Sequence, residues 1–225
     1  MTELLGNIIW HALTGTQAQY AAGTDEARRY APGFSPIVGF VNPAQARFDA
    51  LLPFCSPGEQ LYCAGWSGAV PSGWQVEHET TMLQMVWQAG MPEAGEAPEA
   101  VRLGPQHARQ AYELATLTRP GPFGARTTEL GEYFGCFDGD RLVAMAGERM
   151  HAGTLREISG VCTHPEFQGR GLARRLMHTL IAREMQRGET PFLHVMQGNT
   201  GARELYARMG FRQHDAVVLR VVSQR

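Results

Sequence analysis

The amino-acid sequence predicts a mixed α/β protein, and three observations in its second half lead to this prediction. Residues 155–187 pass from a β-compatible run through a glycine-rich turn into a helix with one apolar face. Asp138-Gly139 separates two apolar runs and is a strong hairpin signal. From residue 98 onward, strand and helix patterns follow in the order β-α-β-β-β-α-β-α-β. We therefore expect a central twisted mixed sheet flanked by helices.

The first 90 residues have weaker patterns, but they contain all four tryptophans of the chain, which indicates a folded segment. The elements predicted here are a short helix near 25–30, a helix over 44–52 with Pro43 in its first turn, and strands at 60–64 and 74–87. We interpret this part as a smaller N-terminal α/β domain, and a degenerate copy of the fold of the second half is one option.

A change of composition marks a predicted domain boundary. Residues 91–97 are rich in Pro, Glu, Ala and Gly and lack any periodicity, as is typical of a linker. After it, we expect a second domain over residues 98–225. Its predicted elements are a strand at 100–103, a helix at 105–117, strands at 133–137, 141–149 and 155–162, a helix at 172–187, a strand at 191–197, a helix at 199–209 and a strand at 216–222.

The composition argues against several classes of protein. A net charge of −2 provides no bulk attraction to nucleic acid, and no apolar run approaches the roughly 20 residues that cross a bilayer. The N-terminus lacks the pattern of a secretory signal. The four cysteines form no Cys-x-x-Cys pair, so we expect reduced thiols, no metal site and a cytoplasmic protein.

The turn before the helix at 172–187 has the features of a polyanion site. The first N–H groups of a helix have no internal partner, and the helix dipole adds partial positive charge there. Small residues allow close approach to the backbone, and nearby arginines supply charge. These features predict a site for a pyrophosphate, although a glycine-rich turn into an ordinary surface helix shows the same pattern. The turn consists of Gln168, Gly169, Arg170, Gly171, Leu172 and Ala173.

Other nucleotide and metal motifs fit this turn poorly. A dinucleotide-binding turn needs a third small residue three positions after Gly171, where Arg174 stands, and an acidic residue at the end of the next strand, where Gln197-Gly198 stands. A phosphate-binding P-loop needs lysine, and the sequence contains none. His164-x-Glu166 is half of a zinc deaminase motif, but its Pro-Cys-x-x-Cys partner is absent.

Three motifs in this order resemble the GNAT superfamily of acyl-CoA-dependent N-acyltransferases. The turn at 168–173 is similar to the family's Gln/Arg-x-x-Gly-x-Gly/Ala sequence. Residues 199–206 are similar to its Asn-x-x-Ala-x-x-Leu-Tyr helix, and Gly210-Phe211 is similar to the Gly-Phe that follows it. The resemblance covers about residues 98–225 and leaves the first 90 residues unexplained.

The resemblance implies acetyl-CoA as the cofactor and assigns roles to several residues. The turn at 168–173 would hold the diphosphate. In GNAT proteins the preceding strand is bulged and splays from its neighbour, so Val161, Cys162 and Thr163 would offer free amides to the pantetheine arm, with Gly160 easing the bulge. Asn199 would bond to the same arm. Tyr206 would be the general acid that protonates the departing thiolate, although an aromatic residue packed on its helix shows the same spacing.

The sequence leaves three candidates for the base that deprotonates the amine. Glu157 is the first candidate, because its spacing from Gln168 resembles that of the glutamate base in histone-modifying members of the family. A strand charge paired with an arginine is the alternative for Glu157. Glu148 is the second candidate base, and a water chain is the third. We read His164 as a turn residue and Cys162 as a strand residue that offers its backbone rather than as a nucleophile.

The predicted function is acetyl-CoA-dependent N-acetylation of an amine on a small metabolite or amino acid, by direct attack of the amine. The alternative is a binding module that senses acyl-CoA without turning it over. Arg119 and Arg126, in the loop at 118–128, hint at a carboxylate in the substrate. The sequence leaves the oligomeric state open, a homodimer being one option.

Overall fold

The computed structural model describes residues 2–92 and 99–225. In these ranges the sequence forms five α-helices, namely α1 (Thr2–Gly6), α2 (Ile8–Thr14), α3 (Ala108–Thr118), α4 (Leu172–Gln186) and α5 (Thr200–Met209). The strands in the same ranges are β1 (Ala21–Gly23), β2 (Ala27–Tyr30), β3 (Ile37–Phe40), β4 (Leu61–Ala64), β5 (Trp74–Trp87), β6 (Val101–Arg102), β7 (Tyr133–Asp138), β8 (Arg141–Ala152), β9 (Leu155–Thr163), β10 (Thr190–Met196) and β11 (Phe211–Gln224).

All these strands belong to one continuous mixed sheet, in the order β1-β2-β3-β4-β11-β5-β10-β9-β8-β7-β6. The predicted α/β class is therefore confirmed. The pairs β3–β4 and β9–β10 are parallel, and the other neighbours are antiparallel. Two long strands from opposite halves of the chain, β5 and β11, pair along nearly their whole length, from Trp87↔Phe211 to Trp74↔Gln224.

The predicted linker falls largely on residues 93–97, which lie outside the described residues. Strands from both sides of it share the sheet, since β5 lies between β10 and β11, and β4 pairs with the other edge of β11. The division into domains at 1–90 and 98–225 stays a prediction. For the site, the consequence is that residues of the first half stand directly beside strands of the second.

Local signals predicted the helix after the glycine-rich turn correctly. In α4, Leu176, Met177, Leu180 and Ile181 have no exposed surface. They pack against β8, β9 and β10, as the apolar stripe at helical spacing predicts. The arginines of this helix lie on its other side, where they pair with acidic residues or face solvent. Burial of this stripe anchors the helix start, and with it the turn, against the sheet.

Two predictions in the first half are wrong. The short helix near 25–30 is the strand β2, whose Ala27 and Tyr30 are completely buried between β1 and β3. The helix at 44–52 is replaced by two short 3-10 turns, Pro43–Gln45 and Asp49–Phe54. Asn42 caps the first of these by accepting from the N–H of Ala44, and Pro53 lies inside the second, where a proline cannot donate the helical hydrogen bond. Tertiary pairing and capping override propensity at both places.

The N-terminal helices α1 and α2 were not predicted, although their signal is present in the sequence. Leu5, Ile8, Ile9, Ala12 and Leu13 recur at the spacing of one helix face, and all five are buried. They pack with Met150, Leu155 and Phe192 on the face of the sheet opposite α4. In the part of the chain that the structure describes, every helix is too short or too polar to cross a lipid bilayer.

Candidate active site

The two parallel strands β9 and β10 separate after a short stretch of pairing. Thr190, Pro191 and Phe192 are in register with residues 155–157, and the pairing stops there. β10 then continues along β5 as far as Met196. Among the described residues, no strand pairs with this edge of β9 beyond Glu157. The splay expected from the family resemblance is therefore present, and it leaves this edge of β9 without a strand partner along 158–163, where the Thr163 carbonyl accepts from the Gln168 side chain at 3.4 Å.

A bulge in β9 accompanies the splay. On β8, Met145 and Gly147 are two residues apart, but their partners on β9, Cys162 and Ser159, are three apart. Gly160 sits in this insertion with φ +63°, a value that side chains rarely allow. A Cβ at this position would lie 3.1 Å from the Tyr133 ring. The predicted role of Gly160 in easing a bulge is confirmed.

The glycine-rich turn presents a run of unpaired donors. Gly169 and Gly171 have φ +76° and +74°, and α4 begins at the next residue. Among the described residues, the backbone N–H groups of 169–174 have no protein acceptor. Six consecutive donors at a helix start are a suitable site for phosphate oxygens. The Arg170 side chain is turned to other partners, since it stacks 4.6 Å from the Phe167 ring and donates to the Glu166 carbonyl.

A cavity of about 1160 Å³ connects this turn, the gap between β9 and β10, and the start of α5. It contains most of the residues that the sequence predicted for cofactor binding, namely Val161, Cys162, Thr163, Gln168, Gly169, Gly171, Leu172, Ala173, Asn199 and Tyr206. Arg170 and Glu157 do not line it. Sequence reasoning missed the cavity residues Arg149, Arg174 and His194, and all those from the first half of the chain, which are Ile9, Ile37, Tyr62, Ala64 and Met82.

Tyr206 lies on α5 and faces the cavity. Its ring packs edge-on against Phe211 at 6.1 Å, and its hydroxyl has no hydrogen-bond partner among the described residues. Burial raises the pKa of Tyr206 to about 12, because the tyrosinate would be poorly solvated there. The hydroxyl thus keeps its proton throughout the neutral range. Asn199 caps the same helix by accepting from the N–H of Ala202 at 3.2 Å, which leaves its amide nitrogen free.

Glu157 is completely buried and is held by two partners that do line the cavity. Arg149 donates from Nε and Nη2 to its carboxylate oxygens at 2.9 and 2.6 Å, and His194 Nδ1 lies 2.7 Å from Oε1. Burial alone would raise the pKa of Glu157, but Arg149 and His194 outweigh it and lower the pKa to about 2. A carboxylate this acidic and this enclosed is a weak proton acceptor, so the direct-base role stays a prediction.

His194 is the imidazole of this cluster, and it lines the cavity beside Arg149. Its side chain is 4% exposed, and its Nε2 lies 3.3 Å from the amide nitrogen of Gln84, which also donates to the Leu5 carbonyl. An amide N–H can only donate, so we assign the ring proton to Nδ1, where it is donated to Glu157. In this tautomer the single lone pair of Nε2 accepts from the Gln84 amide at 3.3 Å, so Nε2 acts as a general base only when an incoming amine replaces that long hydrogen bond.

The other candidates for acid–base or nucleophilic roles lie in less suitable surroundings. Glu148 is buried away from the cavity and is paired with Arg187 and Arg156. Cys162 lines the cavity, but burial raises the pKa of its thiol to about 11, so it is not an activated nucleophile. His164 caps a 3-10 turn by accepting from the N–H of Glu166 at 3.3 Å, in agreement with its predicted place in a turn. In the described ranges no cluster of side chains suits a metal ion.

The loop that follows α3 forms one wall of the cavity. Thr118, Arg119, Pro120, Gly121 and Pro122 line it. Arg119 has φ +50°, and no other non-glycine residue in the described ranges has a positive φ. The Arg119 side chain makes no ion pair in the described ranges. Arg126, by contrast, lies outside the cavity, where it pairs with Glu129 and stacks on Phe34 at 4.4 Å.

Comparisons with known proteins agree with this geometry. A family model described as FR47-like protein matches residues 133–220. N-alpha-acetyltransferase RimI of Mycobacterium tuberculosis is 33% identical over 101 residues, which represent 42% of this chain and 63% of RimI. A structure from Novosphingobium aromaticivorans, assigned to the GNAT family of acetyltransferases, has a TM-score of 0.90 and 32% identity over 98% of both chains.

The chain belongs to the GNAT family. The Novosphingobium relative decides this, because its similarity extends over nearly the whole of both chains, including the first 90 residues. A GCN5-related N-acetyltransferase-like protein from Streptococcus suis shares the fold, with a TM-score of 0.64 at 16% identity over 97% of this chain and 92% of that one. The match to RimI spans about 63% of the length of that protein.

GNAT acetyltransferases use acetyl-CoA as co-substrate, and the residues of this chain fit that molecule. The unpaired N–H groups at 169–174 fit the diphosphate, and Arg174, which makes no ion pair in the described ranges, lies beside them at the cavity wall. The free edge of β9 offers backbone partners to an extended amide-bearing arm. Tyr206 stands further along the same cavity with an unengaged hydroxyl.

Proposed function

We propose that this protein is an acetyl-CoA-dependent N-acetyltransferase that acts on the primary amine of a small molecule. The observation that carries the proposal is the placement, in one cavity, of five of the six residues with unpaired backbone donors, an unpaired strand edge and a protonated tyrosine. An acyl-CoA thioester needs all three. When bound, it supplies an acetyl group activated for attack by an amine.

In this proposal the chain positions the reactants and moves two protons. The turn at 169–174 binds the diphosphate, and residues 161–163 of β9 align the arm. Tyr206 holds a proton at its hydroxyl and delivers it to the thiolate that leaves. Because its pKa of about 12 exceeds that of a free thiol, about 8.5, the transfer requires either concert with bond cleavage or a lower pKa of Tyr206 in the loaded site.

His194 accepts the proton of the amine at Nε2, where the amine replaces the Gln84 amide that donates to this atom at 3.3 Å. Free amines are mostly protonated at neutral pH, since their unperturbed pKa is near 10, so a base increases the reactive fraction. Glu157 acts through His194: its carboxylate holds the Nδ1 proton and stabilises the imidazolium that forms. Arg149 keeps that carboxylate ionised. Glu157 is therefore a positioning residue in this proposal.

A second acceptor class is the α-amine at a polypeptide N-terminus. The similarity to N-alpha-acetyltransferase RimI favours it, since that name denotes transfer to an α-amine. The part of the cavity wall that comes from residues 9–82 falls outside the matched family model, which covers 133–220. Because these residues line the cavity, they help to decide which acceptor fits.

One experiment tests the proposal against the acyl-CoA sensor. Acetyl-CoA binding is measured by calorimetry, and thiol release is measured with amino acids, simple amines and short peptides as acceptors. We expect micromolar binding and amine-dependent release of the thiol. Binding without release for every acceptor would support the sensor, and failure to bind acetyl-CoA would refute both. The acceptor with the largest kcat/KM shows whether the enzyme acts on small molecules or on polypeptide N-termini.

A further inference from the structure

The part of the cavity that faces the first half of the chain is mostly apolar. Ile9 of α2, Ile37 of β3 and Met82 of β5 lie there together with Met150 and Ile158. Ile9 comes from a helix on the sheet face opposite α4, and Met82, Met150 and Ile158 come from β5, β8 and β9 near the gap. Ile37 lies further along the sheet, on β3, and packs in the same buried cluster as Ile9. An acceptor that fills this space buries an apolar group.

Arg149 is the cation within this apolar surround. The residue is 7% exposed, yet it lines the cavity. Its Nε and Nη2 atoms are used by Glu157, and its Nη1 has no acceptor among the described residues. A buried guanidinium with unused N–H groups is unfavourable unless an acceptor arrives, and carboxylates match its planar geometry best.

The positions of Arg149 and His194 are linked through a single atom. Glu157 Oε1 accepts from Arg149 Nη2 at 2.6 Å and from His194 Nδ1 at 2.7 Å. The guanidinium and the imidazole are therefore near neighbours on the same wall of the cavity. A ligand that uses both needs an amine and an anionic group separated by very few bonds, as in an α-amino acid.

We propose that Arg149 binds the carboxylate of the acceptor, and that the acceptor is a free α-amino acid with an apolar side chain. This inference rests on the proposed function and specifies its substrate. The amine then points to His194 Nε2, the carboxylate to Arg149 Nη1, and the side chain to the wall formed by residues 9, 37 and 82. Arg149 is thus a specificity-determining residue as well as the partner of Glu157.

The test compares acceptors that differ only in the carboxylate. Acetylation of leucine, methionine and phenylalanine is measured against their primary amides, and each kcat/KM is expressed per concentration of the neutral amine of that acceptor. We expect kcat/KM to be about 10- to 100-fold higher for the free acids, as for a charge-assisted hydrogen bond. Arg149→Gln should reduce this acid-to-amide ratio to about one, mainly by raising KM for the acids. Arg126→Gln is the matched control and should leave the ratio unchanged.

The ratio separates a specificity role from a structural one. Loss of the Arg149–Glu157 pair lowers kcat for acids and amides together, but it does not by itself change their ratio. If Arg149→Gln does not fold, the double variant Arg149→Gln/Glu157→Gln removes both buried charges and is measured instead. Equal activity on acids and amides in the wild-type protein would overturn this inference while the transferase function stands. Bound acetyl-CoA without acetylation of any amine would refute the function itself.

Discussion

His194 Nδ1 lies 2.7 Å from Oε1 of Glu157, a carboxylate that has no exposed surface. The two residues come from β10 and β9, close to the point where those strands separate. Arg149 holds the other side of the carboxylate and, with His194, outweighs the effect of burial, which would raise its pKa. The result is an ionised anchor that fixes one tautomer of a histidine at the cavity wall.

Replacing His194 tests the base directly. His194→Gln should lower kcat/KM at pH 7 by about 10²-fold or more, the usual contribution of a general base. The loss should shrink as the pH approaches the pKa of the amine, because more of the amine is then neutral without help. The pH profile of kcat/KM measures both effects. His78→Gln, on an exposed part of β5, is the control. A variant with the wild-type profile would exclude His194 as the base.

Tyr206→Phe tests the general acid. We expect kcat to fall about 10²-fold, with the affinity for acetyl-CoA nearly unchanged, because the hydroxyl makes no hydrogen bond in the described structure. Since burial raises the pKa of Tyr206 to about 12, the wild-type enzyme should not lose activity through this group below about pH 11. Tyr112→Phe removes an exposed hydroxyl from α3 and serves as the comparison. Unchanged turnover would remove Tyr206 from the mechanism.

Alanine variants of two glycines with the same conformation distinguish an effect on acetyl-CoA binding from an effect on stability. Gly169 in the turn has φ +76° and Gly188 beyond α4 has φ +75°, and a methyl group added at either position would meet open space. Alanine at either position should destabilise the protein by about 1 kcal/mol through backbone strain. We expect a loss of about tenfold or more in acetyl-CoA affinity from Gly169→Ala alone, as measured by calorimetry. Equal affinities for the two variants would argue against the turn as the diphosphate site.

Glu184 should make stability depend on pH. It is completely buried in α4, neither carboxyl oxygen has a partner in the described structure, and burial raises its pKa well above the usual value. The folded state therefore keeps a proton that the unfolded state releases above about pH 4.5, so stability falls as pH rises. Urea unfolding of Glu184→Gln should give a stability advantage that grows from pH 5 to 8, by at most about 1.4 kcal/mol per pH unit.

Glu113→Gln, on the exposed face of α3, is the control for this experiment. The free energy of unfolding of Glu113→Gln should vary with pH in the same way as that of the wild-type protein. If the free energies of unfolding of Glu184→Gln and the wild-type protein change with pH in parallel, the Glu184 carboxyl group ionises in the folded state as it does in the unfolded state. The prediction that Glu184 stays protonated in the folded protein is then wrong.

Several elements could be predicted because their determinants are local. The Asp138-Gly139 turn joins β7 to β8 as expected, with Gly139 at φ +57°. Asn199 caps α5 as its position before the helix suggests. The start of the last strand could not be predicted in the same way. β11 begins at Phe211, and its exposed residues 212–216 pair with β5, apart from a bulge at His214, without any apolar alternation. Its start is set by the partner strand rather than by its own pattern.

The sequence by itself determined the fold class and the glycine-rich turn before α4, because glycines and a helix start act within a few consecutive residues, whatever packs around them. Only the tertiary structure decided which residues come together around the cavity. Arg149, Glu157 and His194 lie on three different strands, and Ile9 and Ile37 reach the cavity only because β5 and β11 join the two halves of the chain in one sheet. The ionisation of Glu157 depends on burial and on both of its partners, and no local pattern carries that information.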